Sequence, residues 1–151
     1  MAVDRKLTRS YQCNFQVKRR RRREGKTDYK HRTNMLRQQC NSYGTVKSRL
    51  VVRITGTKVI CAVIKAYIDG DRTVAYADST ELKRYGVDFG HTNYFAAYAT
   101  GLLCGRRALV SNGLDKIYEP STNVGEYAVT EDKEGEAKAW RVFLDIGLAR
   151  S

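Results

Sequence analysis

The feature that most constrains this chain is a run of five consecutive arginines at residues 19–23, with Lys18 before it and Lys26 after it. Five adjacent residues cannot all face one groove of a helix or one side of a strand. Like charges at this density repel one another until a polyanion neutralises them. We therefore predict an extended basic arm that becomes ordered on its ligand.

The positive charge is confined to the first third of the chain. Residues 1–53 carry 16 lysines and arginines against 3 acidic residues, whereas residues 54–151 carry 12 against 13. Such an uneven charge distribution attracts a polyanion to one end of the molecule. The planar guanidinium group of arginine can make two parallel hydrogen bonds to one phosphate. The run alone leaves open a solvated tail, a nuclear-import signal, and a heparin or anionic-membrane patch.

Length and composition indicate one globular domain plus the arm. The 151 residues include one proline and 12 glycines and are 42% hydrophobic, as is typical of globular proteins. We place the arm at residues 1–26 and an α/β domain at residues 27–151. No window reaches the ~18 apolar residues of a membrane span, and the N-terminus lacks a secretory pattern. We therefore expect an intracellular protein without a membrane partner.

The four cysteines predict neither a metal site nor a disulfide framework. Cys13, Cys40, Cys61 and Cys104 include no close pair, whereas zinc ligands normally come in tight pairs. Cys61 and Cys104 lie in apolar runs and are predicted to be small core residues. We expect no cofactor.

A helix is predicted over residues 28–43, with Thr27 as N-cap and Asp28 in the first turn. Its apolar positions form one narrow stripe that would dock on the domain, and Gly44 would end it. The residues of that stripe are Tyr29, Leu36, Cys40 and Tyr43.

Three strands of an antiparallel meander are predicted over residues 49–55, 58–68 and 72–77. In the first, Leu50, Val52 and Ile54 face the core, and the other face is polar and partly positive. In the second, one face is shared by Ile60, Ala62, Ile64, Ala66 and Ile68. Arg49, Arg53 and Lys58 would extend the basic surface at the margin of the sheet.

A long, slender helix is predicted from a cap at Thr92 or Asn93 to about Ser111. It is apolar around much of its girth, so we expect it to be buried against the sheet. A short strand at residues 116–118 closed by Pro120, an acidic loop at residues 121–136 and a last strand at residues 140–146 follow. The residues sharing one face of that last strand are Trp140, Val142, Leu144 and Ile146.

Four motifs resemble the family of large-ribosomal-subunit proteins that bind 5S rRNA, in its eukaryotic form. They are REGKTDY at residues 23–29, YGV with TNYFAAYATGLL at residues 85–103, DKIYE at residues 115–119 and LDIGLAR at residues 144–150. The resemblance implies a three-layer α/β domain with a mixed sheet, located in the central protuberance of the large subunit. Members of the family continue past GLAR, so we expect this chain to be truncated at its C-terminus.

The resemblance also implies that the arm and one surface of the domain clasp 5S rRNA, with large-subunit rRNA and neighbouring ribosomal proteins as further partners. Such a protein acts on cytoplasmic ribosomes after nuclear and nucleolar assembly. The residues predicted to contact RNA are Lys18, Arg19, Arg20, Arg21, Arg22, Arg23, Lys26, Thr27, Tyr29, Arg32, Arg49, Arg53, Lys58, Asn93 and Tyr94. Tyr11 and Phe15 are further candidates for stacking on bases. Core packing is the alternative for Tyr29, and helix capping the alternative for Asn93.

Other function classes have weaker support. His31 and His91 lie in no catalytic motif, and residues 86–90 lack the rest of a phosphate-binding loop, so we expect neither an enzyme nor a small-molecule substrate. Asp78, Asp88 and Asp145 could in principle converge on a metal in a nuclease, but no spacing in the sequence requires it, and we interpret Asp78 and Asp88 as turn residues and Asp145 as the end of a strand. A general RNA chaperone or nuclear-transport adaptor that uses the same arm is the remaining alternative.

Overall fold

The computed structural model describes residues 8–119, 125 and 127–150. Two short helices, α1 (Arg9–Asn14) and α2 (Arg20–Arg23), precede α3 (Tyr29–Leu36). Strands β1 (Ser48–Ile54), β2 (Val59–Tyr67) and β3 (Gly70–Asp78) follow, and after them α4 (Tyr94–Ser111) and β4 (Val142–Asp145). The sheet order is β3-β2-β1-β4. The three consecutive strands pair antiparallel and β4 pairs parallel to β1, which confirms the predicted α/β class with a mixed sheet.

The core lies between the sheet and α4. Val59, Cys61 and Val63 of β2 are each 3% exposed or less and pack in one cluster with Cys104 and Ala108 of α4. The buried residues of α4 are Ala96, Thr100, Cys104 and Ala108, one every four residues. This stripe of small side chains lets the helix approach the strands closely. The prediction of core positions for Cys61 and Cys104 is confirmed, and burial raises the pKa of both thiols.

The meander is confirmed, with differences at its ends. In β1, Leu50 and Val52 pack toward the core as predicted, but Ile54 at the strand end is 70% exposed. In β2, the residues of the buried cluster are Val59, Cys61 and Val63. They alternate along the strand with the residues that were predicted to share one face. The strand also ends at Tyr67, so the prediction was wrong for Ile68, which is fully exposed.

The helix predicted over residues 28–43 is much shorter. α3 spans Tyr29–Leu36, and its N-cap is Asp28 rather than Thr27, with the Asp28 carboxylate accepting from the backbone N–H groups of Lys30 and His31. Beyond Leu36 the predicted stripe has nothing to pack against, since Cys40 is exposed and Tyr43 is 94% exposed. Helix extension needs such packing, so the chain instead forms a short 3-10 turn at Cys40–Ser42.

The long helix α4 is confirmed in position and cap, because the side chain of Asn93 accepts from the Ala96 N–H at 2.7 Å. The expected packing of α4 against the sheet is confirmed for one face of the helix, and the opposite face is exposed. Tyr98 and Leu102 are 55% and 54% exposed and line a groove of about 520 Å³ beside Tyr118 and Trp140. The stripe of small residues is thus the face of α4 that meets the sheet.

The region after α4 differs from the prediction in two respects. Residues 116–118 form turns instead of a strand, and Tyr118 is buried with its hydroxyl donating to the Ala137 carbonyl at 2.8 Å. The last strand is shorter than predicted and spans Val142–Asp145. Val142 and Trp140, which precedes the strand, pack against the core, but Leu144 is 60% exposed. Pro120 and residues 121–124 and 126 of the acidic loop lie outside the described residues.

The arm is exposed, as predicted, but is not extended in its described part. α1 has no buried residue, and residues 20–23 complete one helical turn. The prediction of an extended arm was therefore wrong for Arg9–Asn14 and Arg20–Arg23, while residues 1–7 lie outside the described residues. Among the described residues, no helix is both long and apolar enough to cross a membrane.

Candidate nucleic-acid interface

The arginine run lies in and beside α2, where one carboxylate orders it. Glu24 accepts from Arg20 Nε and from Lys26 Nζ, both at 2.8 Å. The bonds from Lys26 and then Arg20 hold the pKa of Glu24 below its usual range. Because these groups are exposed, the pairs orient the turn more than they stabilise it.

Two further contacts attach the arm to the domain. Arg21 Nε donates to Thr27 Oγ1 at 2.9 Å, and the Arg19 guanidinium lies 5.1 Å from the ring centre of Tyr29. Within the described chain, the side chains of Lys18, Arg22 and Arg23 have no hydrogen-bond, ion-pair or ring partner. One part of the run therefore anchors the arm, and the other part presents unpaired cations to solvent.

Behind the arm lies a polar cavity of about 430 Å³ on the face of the sheet opposite α4. Its walls come from the arm, α3 and all four strands of the sheet. The cationic side chains that line it are Arg21, Lys26, Arg32, Arg49 and Arg53, with His31 beside them. The carboxylates are Asp28, Asp71 and Asp145. The cavity joins the arm to the polar face of β1 that the alternation predicted.

A chain of ion pairs forms the floor of this cavity. Arg32 of α3 donates to both carboxylate oxygens of Asp71 at 2.8 and 2.9 Å. Arg49 of β1 bridges Asp71 at 2.8 Å and Asp145 at 2.6 Å. Arg53 completes the chain, with 3.2 Å to the Asp145 carboxylate and 2.8 Å to its backbone carbonyl. The network thus ties α3, β1, β3 and β4 together.

Asp145 is the most buried carboxylate of the network, at 3% exposure. Burial alone would raise its pKa, but the Gly147 N–H at 2.9 Å, Arg49 and Arg53 together hold the pKa below its ordinary value. Gly147 has φ +69°, and a Cβ there would lie 2.8 Å from the Arg53 guanidinium carbon. The positive φ favours glycine, and a Cβ would also force the Arg53 guanidinium to shift, which gives the LDIG sequence a physical reason.

Among the described residues, two buried nitrogen atoms of residues that line the cavity have no partner. They are Arg49 Nε and His31 Nε2. A buried polar group without a partner costs about 1–3 kcal/mol. Both atoms are closed off from solvent, so the exposed cations Arg21 and Lys26 give the cavity its character of a binding site.

The structure brings together seven of the residues predicted to contact RNA. Those lining the cavity are Arg21, Lys26, Thr27, Tyr29, Arg32, Arg49 and Arg53. The predicted location of Arg49 at an exposed margin was wrong, since Arg49 is 4% exposed. Its contact with RNA stays a prediction.

Three of the predicted residues lie elsewhere in the fold. Lys58 pairs with Asp78 at 3.0 Å, and that bond raises the pKa of Lys58. Asn93 caps α4, and Tyr94 beside it is 89% exposed. None of the three lines the cavity, so their contacts with RNA stay predictions.

Two of the three aspartates proposed for a nuclease, Asp78 and Asp145, have structural partners, and Asp88 is exposed. Asp78 caps the 3-10 helix Ser79–Tyr85 in a capping box with Glu81, and the bond from the Thr80 hydroxyl, followed by that from Lys58, holds the pKa of Asp78 far below its usual range. Asp145 is held by Arg49 and Arg53. Within the described ranges, no group of three histidine, cysteine or acidic side chains could hold a metal ion.

The sequence prediction did not assign Asp71 or His31 to the site. Asp71 was assigned to a turn, and pairing between its strand and α3 leaves no trace in local periodicity. A usable signal was the placement of Arg49 between Ser48 and Leu50, inside a strand with apolar neighbours. A buried arginine at such a position needs a carboxylate partner.

We expect Asn93→Ala to lower the free energy of unfolding by about 1 kcal/mol, because the cap of α4 is lost. Asn93→Ser keeps an oxygen at the cap and should be nearly neutral. Urea unfolding of both variants measures this. If both variants fold like the wild type yet bind RNA more weakly, the cap is not the role of Asn93.

The family model described as "Ribosomal large subunit proteins 60S L5, and 50S L18" matches residues 13–151. The chain belongs to this family. A member from Saccharomyces cerevisiae, large ribosomal subunit protein uL18, is 50% identical over 143 residues, which are 94% of this chain and 48% of the relative. The uL18 protein of Styela clava is 47% identical over 144 residues, 95% of this chain and 49% of the relative. The chain therefore spans about half the length of these relatives.

Membership in the 60S L5 and 50S L18 family confirms the resemblance seen in the four motifs. The family consists of structural proteins of the large ribosomal subunit rather than enzymes. Its match extends over β4 and Gly147, and over the arm from Cys13 onward. The cavity and the arginine run thus both lie inside the part of the chain that matches the family.

Proposed function

We propose that this chain binds 5S rRNA in the central protuberance of the large ribosomal subunit and helps to assemble that RNA into the ribosome. The observation that carries the proposal is the joint surface formed by the arm and the polar cavity. Among the described residues, Lys18, Arg22 and Arg23 of the arm have unpaired side chains, and further cations line the cavity behind it. Family membership supports the ribosomal part of the proposal.

The chemistry of this surface suits folded RNA. Arginine guanidinium groups bind phosphate oxygens through paired hydrogen bonds and stack on bases. One face of the Tyr29 ring is already covered by Arg19. Phosphate contacts fix position and give little sequence selectivity. We therefore infer that selectivity for 5S rRNA comes from RNA shape read against the rigid sheet.

The proposed role also implies the binding partners and the cellular locations of a ribosomal protein. The chain would contact large-subunit rRNA and neighbouring proteins in cytoplasmic ribosomes, after a nuclear stage of assembly. It needs no small-molecule substrate and no cofactor for this role.

The proposal is tested by incubating the purified chain with total eukaryotic RNA, washing near physiological salt and sequencing the RNA that stays bound. We expect 5S rRNA to be enriched over transfer RNAs of similar length, because shape rather than charge selects it. Recovery of both RNAs in proportion to their input would overturn the proposal and favour a general RNA chaperone.

A further inference from the structure

A second polar cavity, of about 740 Å³, lies between the loop after α3 and the start of β4. The loop contributes residues Arg37 to Ser48 along one wall, and Trp140, Arg141 and Phe143 form the other. Three cations, Arg37, Lys47 and Arg141, line it, and no carboxylate does. This separates it from the cavity behind the arm, where three carboxylates neutralise most of the cations.

The walls are held by contacts that leave the binding groups free. Gln38 Nε2 donates to the Thr45 carbonyl at 2.7 Å, and Lys47 Nζ donates to the Arg37 carbonyl at 3.1 Å. Trp140 Nε1 donates to Ser48 Oγ at 3.2 Å. These bonds fix the loop against the strand, so the cavity has a defined shape.

Several side chains around the cavity lack partners. Among the described residues, no hydrogen bond or ion pair engages the side chains of Arg37, Gln39, Asn41 or Arg141, and all four are exposed. Phe143 is 48% exposed, with Lys47 Nζ 4.2 Å from its ring centre. Tyr43, next to the lining residue Ser42, is 94% exposed and has φ 51°. Such backbone conformations are uncommon outside glycine and concentrate at functional sites.

We propose that this cavity binds an unpaired stretch of RNA, as a second contact distinct from the arm. Arg37 and Arg141 would take phosphates, Phe143 would stack a base, and the amides of Gln39 and Asn41 could both donate to and accept from base edges. An acidic peptide would use the cations but not the aromatic ring and the amides together. The inference rests on the RNA-binding function proposed above and names single-stranded nucleotides as the part of the RNA recognised here.

The test measures binding of the full chain to a fluorescent oligouridylate of about eight nucleotides, which fits the usual span of single-strand sites. We expect Arg37→Ala with Arg141→Ala to weaken binding about tenfold near 0.15 M salt and to reduce the salt slope by roughly 1.4, since each single-strand phosphate contributes about 0.7. Both side chains are unpartnered and exposed, so the variant should fold normally. Lys83→Ala with Arg84→Ala removes the same charge from an exposed site elsewhere and should change binding less than twofold.

The aromatic part of the site is tested separately with Phe143→Leu, which keeps an apolar side chain on β4. Loss of stacking should weaken oligouridylate binding at least about fivefold with an unchanged salt slope. Equal losses in the two charge variants, unchanged binding in the Arg37/Arg141 variant, or no binding by the wild type would each overturn the second site.

Failure of this inference can be told from failure of the proposed function. If the wild type enriches 5S rRNA but the Arg37/Arg141 variant binds oligouridylate normally, the second site is wrong and the ribosomal role stands. If oligouridylate binding depends on Arg37 and Arg141 but 5S rRNA is not enriched, the second site stands without the 5S role.

Discussion

Asp145→Ala is expected to lower the free energy of unfolding by about 3–5 kcal/mol, the usual cost of removing one partner of a buried ion pair. The Asp145 and Arg49 side chains are 4% and 5% exposed and lie 2.6 Å apart. Without the carboxylate, Arg49 keeps a buried charge with Asp71 as its remaining ion-pair partner. Arg53 loses its ion pair and keeps only its bonds to the backbone carbonyls of Val52 and Asp145. Chemical denaturation at neutral pH measures the effect.

The matched control is Asp88→Ala, which removes an exposed aspartate and should change stability by less than about 0.5 kcal/mol. Replacing Arg49 and Asp145 together by leucines should recover much of the loss, because no buried charge is then left unpaired. Asp71 keeps Arg32 as its partner, and the Arg53 side chain is 41% exposed. A loss of less than about 1 kcal/mol in Asp145→Ala would contradict the role assigned to the network.

The difference in the free energy of unfolding between the wild type and Asp145→Ala depends on pH through the pKa of Asp145. Its value in the folded chain lies below the ordinary 3.8, so the folded state favours the ionised form. The contribution is therefore complete above about pH 4 and is lost as pH falls through the folded value. The stability gap between wild type and Asp145→Ala should be constant from pH 5 to pH 7 and should narrow in more acidic solution.

Replacing all five arginines at residues 19–23 with alanine is expected to weaken binding to 5S rRNA by several factors of ten. The salt slope should also flatten by up to ~0.9 for each duplex phosphate that the variant no longer neutralises. Part of the weakening is indirect, since Arg19 and Arg21 hold the arm on Tyr29 and Thr27. Titrations at several salt concentrations give both quantities.

The direct part is isolated by Arg22→Ala with Arg23→Ala, whose side chains have no partner within the described chain. Lys116→Ala with Lys138→Ala removes the same charge from exposed positions in the other part of the chain. The first pair should flatten the salt slope and the second should leave it nearly unchanged. An unchanged slope in the quintuple variant would exclude phosphate binding by the run.

Sequence patterns predicted correctly the structural features that depend on interactions between residues close together in the sequence. The alternation of β1 and the Asn93 cap of α4 both depend on residues within a few positions of one another. The length of α3 depends on whether Cys40 and Tyr43 find a core, which periodicity alone does not reveal. Similarly, the face of α4 that is exposed depends on which face packs against the sheet. The four small buried residues of the helix form the packed face.

The candidate site was predictable in its charges but not in its pairing. The arginine run was evident from sequence, yet the bond between Arg49 and Asp145 spans 96 positions and arises from a parallel pairing of β4 with β1. The cavity lined by Arg37, Lys47 and Arg141 went unpredicted for the same reason, since its two walls come from distant segments. In a basic chain, the local sequence around a single cation does not show which other cations lie near it in the fold.

The central claim is that the arm binds phosphate while the domain selects 5S rRNA. The most direct test is a titration of the purified chain with 5S rRNA and with transfer RNA of similar length, repeated over a range of salt. We expect a preference for 5S rRNA that persists near physiological salt, because shape recognition does not depend on released counterions. Equal affinities that fall together as salt rises would contradict it and leave the arm as a general polyanion binder.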